Sequence, residues 1–211
     1  MSRPRIALDL DEVVFDWLEA FIRTFEEEDG DPDAFPVPFD VASLRAARQD
    51  RYDWMEHVVG QANWRWFWEV PAGEASWWRA VPLRVGEAEA AATLAHRYDV
   101  VILTSRPRVA RVPTLEWMAD QEAPFQGLFV VEQAGDKVGA AAGLACDTLV
   151  DDRASVIADA ILHNRTSFFP IGPVVYSQPW NQVIPRSRGG DYRRISSLEE
   201  LVVQMSPRRT K

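Results

Sequence analysis

The fold is set by residues 5–11, whose sequence is Arg-Ile-Ala-Leu-Asp-Leu-Asp. A short apolar run that ends in two acids is typical of a buried strand whose carboxyl end meets a polar site. Residues 14–28 follow with apolar side chains at helical spacing and acids on the opposite face. The stretch therefore predicts a strand–helix unit with Asp9 and Asp11 at the end of the strand.

The remainder of the chain alternates apolar strands with helices. Strands are predicted over 99–104, 128–131, 148–150 and 167–169, and helices over 86–97, 111–121, from Lys137, over 153–163 and after a capping box at 196–199. Strands that alternate with helices imply right-handed βαβ units. We therefore predict an α/β protein with a Rossmann-like parallel sheet flanked by helices.

One segment interrupts this alternation. Residues 31–81 contain prolines, clustered aromatics and no strong strand pattern, and six of the nine tryptophans lie between residues 54 and 78. We predict a small, mainly helical, Trp-rich cap over 31–81, inserted after the first strand–helix unit. Residues 1–30 and 82–211 then form the α/β core domain.

The predicted strand ends collect the chemistry-bearing side chains. Asp9 and Asp11 end the first strand, Thr104 and Ser105 follow the second, and Asp151-Asp152 follow another. In a parallel sheet the carboxyl ends of the strands form the ligand-binding edge. Lys137 begins a helix, where an ammonium and free backbone N–H groups can both face an anion. Acids that converge at one edge would favour a divalent cation such as Mg²⁺.

Each of these signals is weak alone. An Asp pair is more often a helix cap than a ligand, a Thr-Ser pair commonly caps helices, and a lysine at a helix start is usually solvated. Together they occur in one order, each after an apolar strand, and this combination favours a functional site.

The same residues resemble the four motifs of the haloacid dehalogenase (HAD)-like phosphohydrolases. The matching runs are Ile6-Ala7-Leu8-Asp9-Leu10-Asp11, Val101-Ile102-Leu103-Thr104-Ser105, Lys137 and Leu149-Val150-Asp151-Asp152-Arg153. More narrowly, the chain resembles the 5'(3')-deoxyribonucleotidases over nearly its whole length. Softer matches are Glu116-Trp117, Gly135-Asp136-Lys137, Pro179-Trp180-Asn181-Gln182 and Ser197-Leu198-Glu199.

The resemblance implies a two-step phosphoryl transfer. Asp9 would attack phosphorus, and Asp11 would protonate the leaving alkoxide and then activate water. Mg²⁺ would be held by the Asp9 carboxylate, the Asp11 backbone carbonyl and the pair Asp151/Asp152.

The phosphate would be bound by Thr104, Ser105 and Lys137. Glu12 departs from the family pattern, in which many members have glycine, and this puts the local turn in doubt.

The resemblance also implies a nucleoside monophosphate substrate. Trp17 is the candidate platform for the base, with a core aromatic as the alternative, and Trp77 or Trp78 is the nearest cap aromatic. Arg153 would contact the substrate or offset the acids. Arg106 could offset them as well, or could be a solvated loop residue.

The amino-acid composition limits the classes of binding partner that are expected. The chain has 32 acidic and 23 basic residues, a net charge of −9, and only two lysines, Lys137 and Lys211. This charge disfavours duplex nucleic acid and anionic membranes. One cysteine excludes a disulfide scaffold. No signal peptide or membrane span is evident, so a cytoplasmic location is expected, and a homodimer is left open.

The sequence thus predicts a Mg²⁺-dependent phosphomonoesterase acting on (deoxy)ribonucleoside monophosphates. Two alternatives remain at this stage. One is a phosphatase for another small phosphate ester, and the other is a catalytically weak nucleotide-binding protein that keeps the fold.

Overall fold

A computed structural model describes residues 3–27, 35–47, 54–185, 187–188 and 190–205. Strands are β1 (Arg5–Leu8), β2 (Asp99–Thr104), β3 (Gly127–Val130), β4 (Thr148–Asp151), β5 (Gly172–Tyr176) and β6 (Arg193–Ile195). Helices are α1 (Trp17–Glu27), α2 (Ala42–Ala47), α3 (Trp54–Glu69), α4 (Ala75–Ala80), α5 (Glu87–Arg97), α6 (Arg111–Asp120), α7 (Lys137–Gly143), α8 (Ala154–Asn164) and α9 (Leu198–Met205). Within these ranges, no helix has the length and apolar character needed to cross a bilayer.

The six strands form one parallel sheet in the order β3-β2-β1-β4-β5-β6. β1 lies between β2 and β4, and the chain order reverses direction on its two sides. Such a reversal opens a crevice at the carboxyl ends of the central strands. The predicted parallel α/β sheet is therefore confirmed, and the crevice lies where Asp9 and Asp11 leave β1.

Helices cover both faces of this sheet because its central strands are apolar on both sides. Ile6 and Leu8 of β1 join one large buried cluster, whereas Ala7 between them joins a second cluster on the other face. Alternate residues of a strand point to opposite faces. Continuous apolar strands of this kind are typical of sheets that are buried on both sides.

The predicted strand over 167–169 is wrong. Phe168 and Phe169 lie in a loop and are 96% and 83% exposed. The strand is β5, a few residues later, where Val174 and Val175 are fully buried. The two adjacent phenylalanines have high β propensity, but they are exposed and form no strand. The start of β5 was missed because glycine and proline, here Gly172-Pro173, are uncommon inside strands.

The N-cap of the last helix is Ser197, whose Oγ accepts a hydrogen bond from the Glu200 backbone N–H at 3.2 Å. The Glu200 carboxylate accepts from the backbone N–H of Ser196 at 2.9 Å. The cap predicted over 196–199 therefore pairs Ser197 with Glu200 in place of Ser196 with Glu199, and the second contact reaches the residue before the N-cap.

The segment predicted as a cap contributes α2, α3 and α4. Its described residues, 35–47 and 54–81, contain helices and no strand, and α3 is kinked at Gly60, whose φ of 79° suits glycine. Aromatic side chains of α3 and α4 pack with Trp17, Phe21 and Phe25 of α1 in one cluster. The segment is thus anchored to the helix that follows β1.

Candidate active site

Three carboxylates meet at the carboxyl ends of two neighbouring strands. Asp9 follows β1, Asp151 ends β4, and Asp152 is the next residue. Oxygen atoms from the three side chains lie within 4.8 Å of one another, and each residue is at most 4% exposed. The pairing of β1 with β4 brings the acids together, because Leu8 is in register with Val150.

Lys137 enters this cluster from the first turn of α7. Its Nζ lies 2.6 Å from Asp9 Oδ2 and 2.8 Å from Asp151 Oδ2, and the residue is fully buried. Burial alone lowers the pKa of Lys137, but the carboxylates of Asp151 and Asp9 outweigh burial and raise that pKa above its usual value. The side chain is therefore a fixed, charged ammonium between two strands.

The cluster still carries excess negative charge. Burial raises the pKa of Asp9 to about 6, although the Lys137 ammonium opposes this. Burial, with the nearby charges of Asp151 and Asp9, also raises the pKa of Asp152 well above its ordinary range. Three buried carboxylates facing one ammonium suit a hard divalent cation, which would relieve their repulsion. The residues present therefore fit a metal site formed by Asp9, Asp151 and Asp152.

The carboxylate of Asp11 lies outside this three-acid group. It accepts hydrogen bonds from Arg106, with Nη2 to Oδ1 at 2.6 Å and Nε to Oδ1 and Oδ2 at 3.0 and 3.1 Å. The Asp11 carboxylate is thus occupied by Arg106, and a metal contact through the Asp11 backbone carbonyl stays a prediction from the resemblance.

Arg106 is a buried part of the site, which sequence reasoning left undecided. Its side chain is only 2% exposed, so the solvated-loop interpretation is wrong. Its Nη1 donates to Thr114 Oγ1 at 3.1 Å, and its Cζ lies 4.3 Å from the Phe15 ring centroid. Its position two residues after Thr104 indicated that Arg106 lies near the site. Local sequence does not determine the direction in which a loop side chain points.

Thr104 and Ser105 lie at the end of β2, beside β1. Thr104 is 1% exposed, and its Oγ1 accepts a hydrogen bond from the Arg106 backbone N–H at 3.2 Å. Ser105 lines the cavity described next. The structure thus places both predicted phosphate-binding hydroxyl residues at the same edge as the acids.

A cavity of about 260 Å³ opens beside Asp11, between the sheet edge and the segment 31–81. Four of its ten lining residues are tryptophans, and four others are charged. The lining residues are Asp11, Trp17, Glu56, Trp64, Trp68, Trp78, Ser105, Arg106, Pro107 and Arg153. Trp17 and Arg153, both predicted substrate contacts, are among them. The cavity is large enough for a compact organic group attached to a phosphate.

The two adjacent tryptophans of α4 have different surroundings. Trp78 lines the cavity, whereas Trp77 does not: its Nε1 donates to Thr24 Oγ1 at 2.8 Å, and its ring packs on Phe67. Of the two tryptophans predicted as the nearest cap aromatic, Trp78 therefore lines the cavity and Trp77 does not, while a substrate contact of either stays a prediction. Neighbouring residues on a helix point about 100° apart, so the two side chains reach different surfaces.

Trp17 serves the core as well as the cavity. It is 6% exposed and stacks against Phe21 and Trp68 with centroid distances of 5.4 and 5.9 Å. Because it also lines the cavity, both interpretations considered for this residue describe part of its surroundings.

Glu12 adopts the conformation for which glycine is usually selected. Its φ is 61°, in the left-handed region, so the turn after Asp11 is retained without glycine. Its buried carboxylate accepts a hydrogen bond from the Leu18 N–H at 2.7 Å and pairs with Arg84 at 3.1 Å. These contacts at the start of α1 offset the strain of the backbone.

Sequence reasoning treated Trp180 and Asn181 only as a soft match, yet both contact Asp152. The Asn181 Nδ2 donates to the backbone carbonyls of Asp152 and Tyr176 at 2.6 Å each, and Trp180 Nε1 donates to the Asp152 carboxylate at 3.0 Å. These hydrogen bonds tie the end of β5 to the acid cluster and orient Asp152.

Comparison with solved structures supports this architecture. A HAD-superfamily hydrolase of subfamily IA from Geobacter sulfurreducens PCA superposes with a TM-score of 0.59 at 14% identity, covering 96% of each chain. An L-2-haloacid dehalogenase superposes with a TM-score of 0.57 at 16% identity, covering 98% of this chain and all of the other.

A third similar structure was solved with magnesium. It is Bacillus subtilis YfnB, assigned to the HAD hydrolases, which superposes with a TM-score of 0.57 at 14% identity. The superposition covers 97% of this chain and 99% of the other. Neither protein-family models nor curated protein sequences match the chain.

The chain therefore has the Rossmann-like fold of the HAD hydrolases, and Asp9, Asp151 and Asp152 lie together at one edge of its sheet. At this level of identity, the similarity establishes the fold. The chemistry has to be argued from the site.

The acid cluster predicts a specific response to divalent cations. Mg²⁺ should raise the melting temperature of the wild-type protein, because ligand binding to the folded state alone is stabilising. In Asp152→Asn, Mg²⁺ affinity should fall by more than about tenfold. Titration with Mg²⁺, followed by thermal unfolding, measures both effects.

The matched control is Asp159→Asn, an exposed acid on α8. Its Mg²⁺ response should equal that of the wild-type protein. A response of Asp152→Asn that also equals wild type would show that Asp152 does not bind the cation.

Glu12 predicts a pH dependence of stability in the metal-free protein. Burial, assisted by Asp16, raises the pKa of Glu12 to about 7, although the Leu18 N–H and Arg84 lower it. A carboxyl whose pKa is raised on folding favours the folded state at low pH, and this contribution is lost as the pH rises through about 7. Glu12→Gln should therefore gain stability relative to wild type between about pH 5 and about pH 8.

Melting curves with a chelator present test this expectation. Glu89→Gln, exposed on α5, provides the control and should track the wild-type protein at each pH. A constant difference between Glu12→Gln and wild type across this range would contradict the assignment.

Proposed function

We propose that this protein is a Mg²⁺-dependent phosphomonoesterase that works through an aspartyl-phosphate intermediate. The observation that carries the proposal is the spatial separation of the acids into two groups. Asp9, Asp151 and Asp152 form one buried group with Lys137, while Asp11 is held apart beside the cavity. This arrangement supports the assignment of a cation site, a nucleophile and a separate proton donor.

The residues of this chain then act in order. Asp9 attacks phosphorus, and the bond from phosphorus to the ester oxygen breaks as Asp11 gives that oxygen a proton. Asp11, now a carboxylate, takes a proton from the water that hydrolyses the aspartyl phosphate. Lys137 and the Thr104 hydroxyl bind phosphate oxygens and orient the group for in-line attack.

Magnesium would be held by the carboxylates of Asp9, Asp151 and Asp152 and the Asp11 carbonyl, and would neutralise charge on the transferring phosphoryl group. The three-acid cluster supports this choice of cofactor, and so does the magnesium bound to the similar B. subtilis structure. Mg²⁺ favours sites with a few carboxylates, water and a substrate phosphate.

Asp11 favours phosphate-ester hydrolysis over dehalogenation, although a dehalogenase is among the similar structures. Displacement of a halide leaves an anion that needs no proton, whereas an alkoxide leaving group needs one. An acid held beside the cavity, separate from the cation cluster, can supply the leaving-group proton that only ester hydrolysis needs.

We further propose (deoxy)ribonucleoside monophosphates as the substrates, with the segment 31–81 as the cap over the base. The support is the aromatic cavity, because Trp17, Trp64, Trp68 and Trp78 line it next to Asp11. Stacking of a base on an aromatic side chain contributes about 1–3 kcal/mol. Arg153, also on the cavity wall, would contact the sugar or phosphate.

A second small-phosphate substrate is favoured by one observation. Glu56 also lines the aromatic cavity, and a carboxylate next to tryptophans suits a ligand that carries N–H groups or a positive charge. Amino-alkyl phosphates therefore belong in the substrate panel. The third possibility, a weak binding protein that keeps the fold, is disfavoured by the complete set of acids and Lys137. Cytoplasmic location and dimerisation stay predictions.

The decisive experiment is phosphate release from a panel of nucleoside, sugar and amino-alkyl monophosphates, with and without Mg²⁺. We expect Mg²⁺-dependent release, fastest with a nucleoside monophosphate. Asp9→Asn should lower kcat by more than about 10³-fold, because it removes the nucleophile. The exposed variant Asp159→Asn serves as the control.

The outcomes separate the levels of the proposal. Faster hydrolysis of a sugar or amino-alkyl phosphate would overturn the nucleotide assignment and keep the phosphatase. Equal release by Asp9→Asn and wild type would show that Asp9 is not the nucleophile. No release from any ester would overturn the enzyme assignment.

Lys137→Arg should lower kcat by more than about tenfold despite the retained charge. The ammonium contacts two carboxylates on neighbouring strands within 2.8 Å in a fully buried position. A wider planar guanidinium needs more room and presents its donors differently. Steady-state kinetics with the best substrate tests this, and Arg111→Lys, exposed on α6, is the control. Activity near wild type would contradict the assigned role.

A further inference from the structure

We propose that Arg106 is the positioning residue for the proton donor Asp11, reserving that carboxyl for the leaving group and keeping it out of the cation cluster. This inference rests on the proposed function, because it assigns a role within the same reaction. It concerns a residue that none of the four recognised motifs includes.

The contacts of Arg106 fix its guanidinium from several directions. Nε and Nη2 hold Asp11, while Nη1 donates to Thr114 Oγ1 on α6. Thr114 Oγ1 in turn donates to the Ala110 carbonyl at 2.8 Å. Arg106 is thus oriented by a helix of the core and not by the mobile end of another long side chain.

Two aromatic rings hold the same guanidinium. Its Cζ lies 4.3 Å from the Phe15 ring centroid and 5.2 Å from that of Trp78. Phe15 is in the turn that follows Asp11, and Trp78 belongs to α4 and lines the cavity. A guanidinium packed on aromatic faces loses little freedom when it binds a carboxylate, so the pair is preorganised.

The pairing is uneven across the two carboxylate oxygens. Oδ1 of Asp11 accepts from Nη2 at 2.6 Å and from Nε at 3.0 Å, whereas Oδ2 has one longer contact of 3.1 Å. Oδ2 is therefore the oxygen less engaged by Arg106 and the one left to contact the ester oxygen. Asp11 is 26% exposed and lines the cavity in which the ester would lie.

The ion pair of Arg106 with Asp11 also keeps the Asp11 carboxylate apart from the three acids of the cluster. Without Arg106, the Asp11 carboxylate would be drawn by Coulomb attraction toward Lys137 or a bound cation, because opposite charges attract over several ångströms. Arg106 supplies a nearer partner. Asp11 then remains beside the leaving group, giving a proton to the ester oxygen as the phosphorus–oxygen bond breaks and later taking one from water.

The test uses the dependence of rate on the leaving group. Departure of an alkoxide needs a proton, whereas p-nitrophenolate is stable as the anion and departs without one. We define the selectivity ratio as kcat/KM for the best alkyl phosphate of the panel divided by kcat/KM for p-nitrophenyl phosphate. kcat/KM reports the steps through loss of the leaving group, so the later hydrolysis step does not affect it.

Arg106→Lys should lower this ratio by about 100-fold, in line with the loss of positioned general-acid catalysis. A purely structural role would lower both rates together and leave the ratio unchanged, which would overturn the proposal. Arg79→Lys is the matched control. Like Arg106, Arg79 contacts α6, because its Nε lies 2.8 Å from Glu116 Oε2. Arg79 is exposed, and this ion pair does not involve Asp11. Its ratio should equal wild type.

Two further variants keep the test decisive. Thr114→Val removes one hydrogen-bond partner of Arg106 and should lower the ratio by a smaller factor. This variant tests the proposal even if Arg106→Lys does not fold.

In an Asp11→Asn background, Arg106→Lys should leave the ratio unchanged, because the Asp11 carboxyl that Arg106 positions is gone. An unchanged ratio in Thr114→Val, or a further fall in the double variant, would overturn the inference. Wild-type protein that releases phosphate from no alkyl ester would instead overturn the proposed function, and the inference with it.

Discussion

One buried ammonium connects the carboxylates of two neighbouring strands. The Nζ of Lys137 lies between Asp9 of the β1 end and Asp151 of the β4 end, at hydrogen-bond distance from both. Removing such a charge from water is costly, and only close opposite charges offset the cost. The register of β1 with β4 and the start of α7 must therefore both be correct before the ammonium can be buried.

This constraint explains why the acids are arranged unevenly. Lys137 balances part of the charge of Asp9 and Asp151, while Asp152 is oriented by Trp180 and retains a raised pKa. The remaining imbalance is what a divalent cation can relieve. The carboxylate of Asp11 is paired with its own cation, Arg106. Two separate charge groups thus lie at one acidic edge, which the proposed function assigns to cation binding and to proton transfer.

The parts of this site that follow from the sheet were predictable from sequence. A parallel sheet brings the carboxyl ends of its strands to one edge, so Asp9, Thr104 and Asp151 could be placed together once their strands were recognised. Lys137 could be placed with them by its position at a helix start. The strand over 172–176 was missed because burial, which local propensity does not report, decided between it and the paired phenylalanines.

Side chains on loops and on the helices of the segment 31–81 could not be placed in the same way. Arg106 leaves β2 at a turn, and only the tertiary positions of Phe15, Thr114 and Asp11 determine where its guanidinium lies. The choice between Trp77 and Trp78 depended on the rotation of α4 about its axis. Glu12 shows the converse, because the turn expected of glycine is kept by a residue whose carboxylate caps the next helix.

The aromatic cluster shared by α1 and the segment 31–81 limits how the protein could be rebuilt. Phe21 and Phe25 of α1 are fully buried, and they pack on Phe67 of α3 and Phe39. Excising the segment would expose these rings to water, with a cost of about 25 cal/mol for each Å² of apolar surface. Replacing the segment 31–81 with a foreign insertion would therefore require changing the face of α1 that packs on it as well. For protein engineering, α1 and this segment have to be exchanged together.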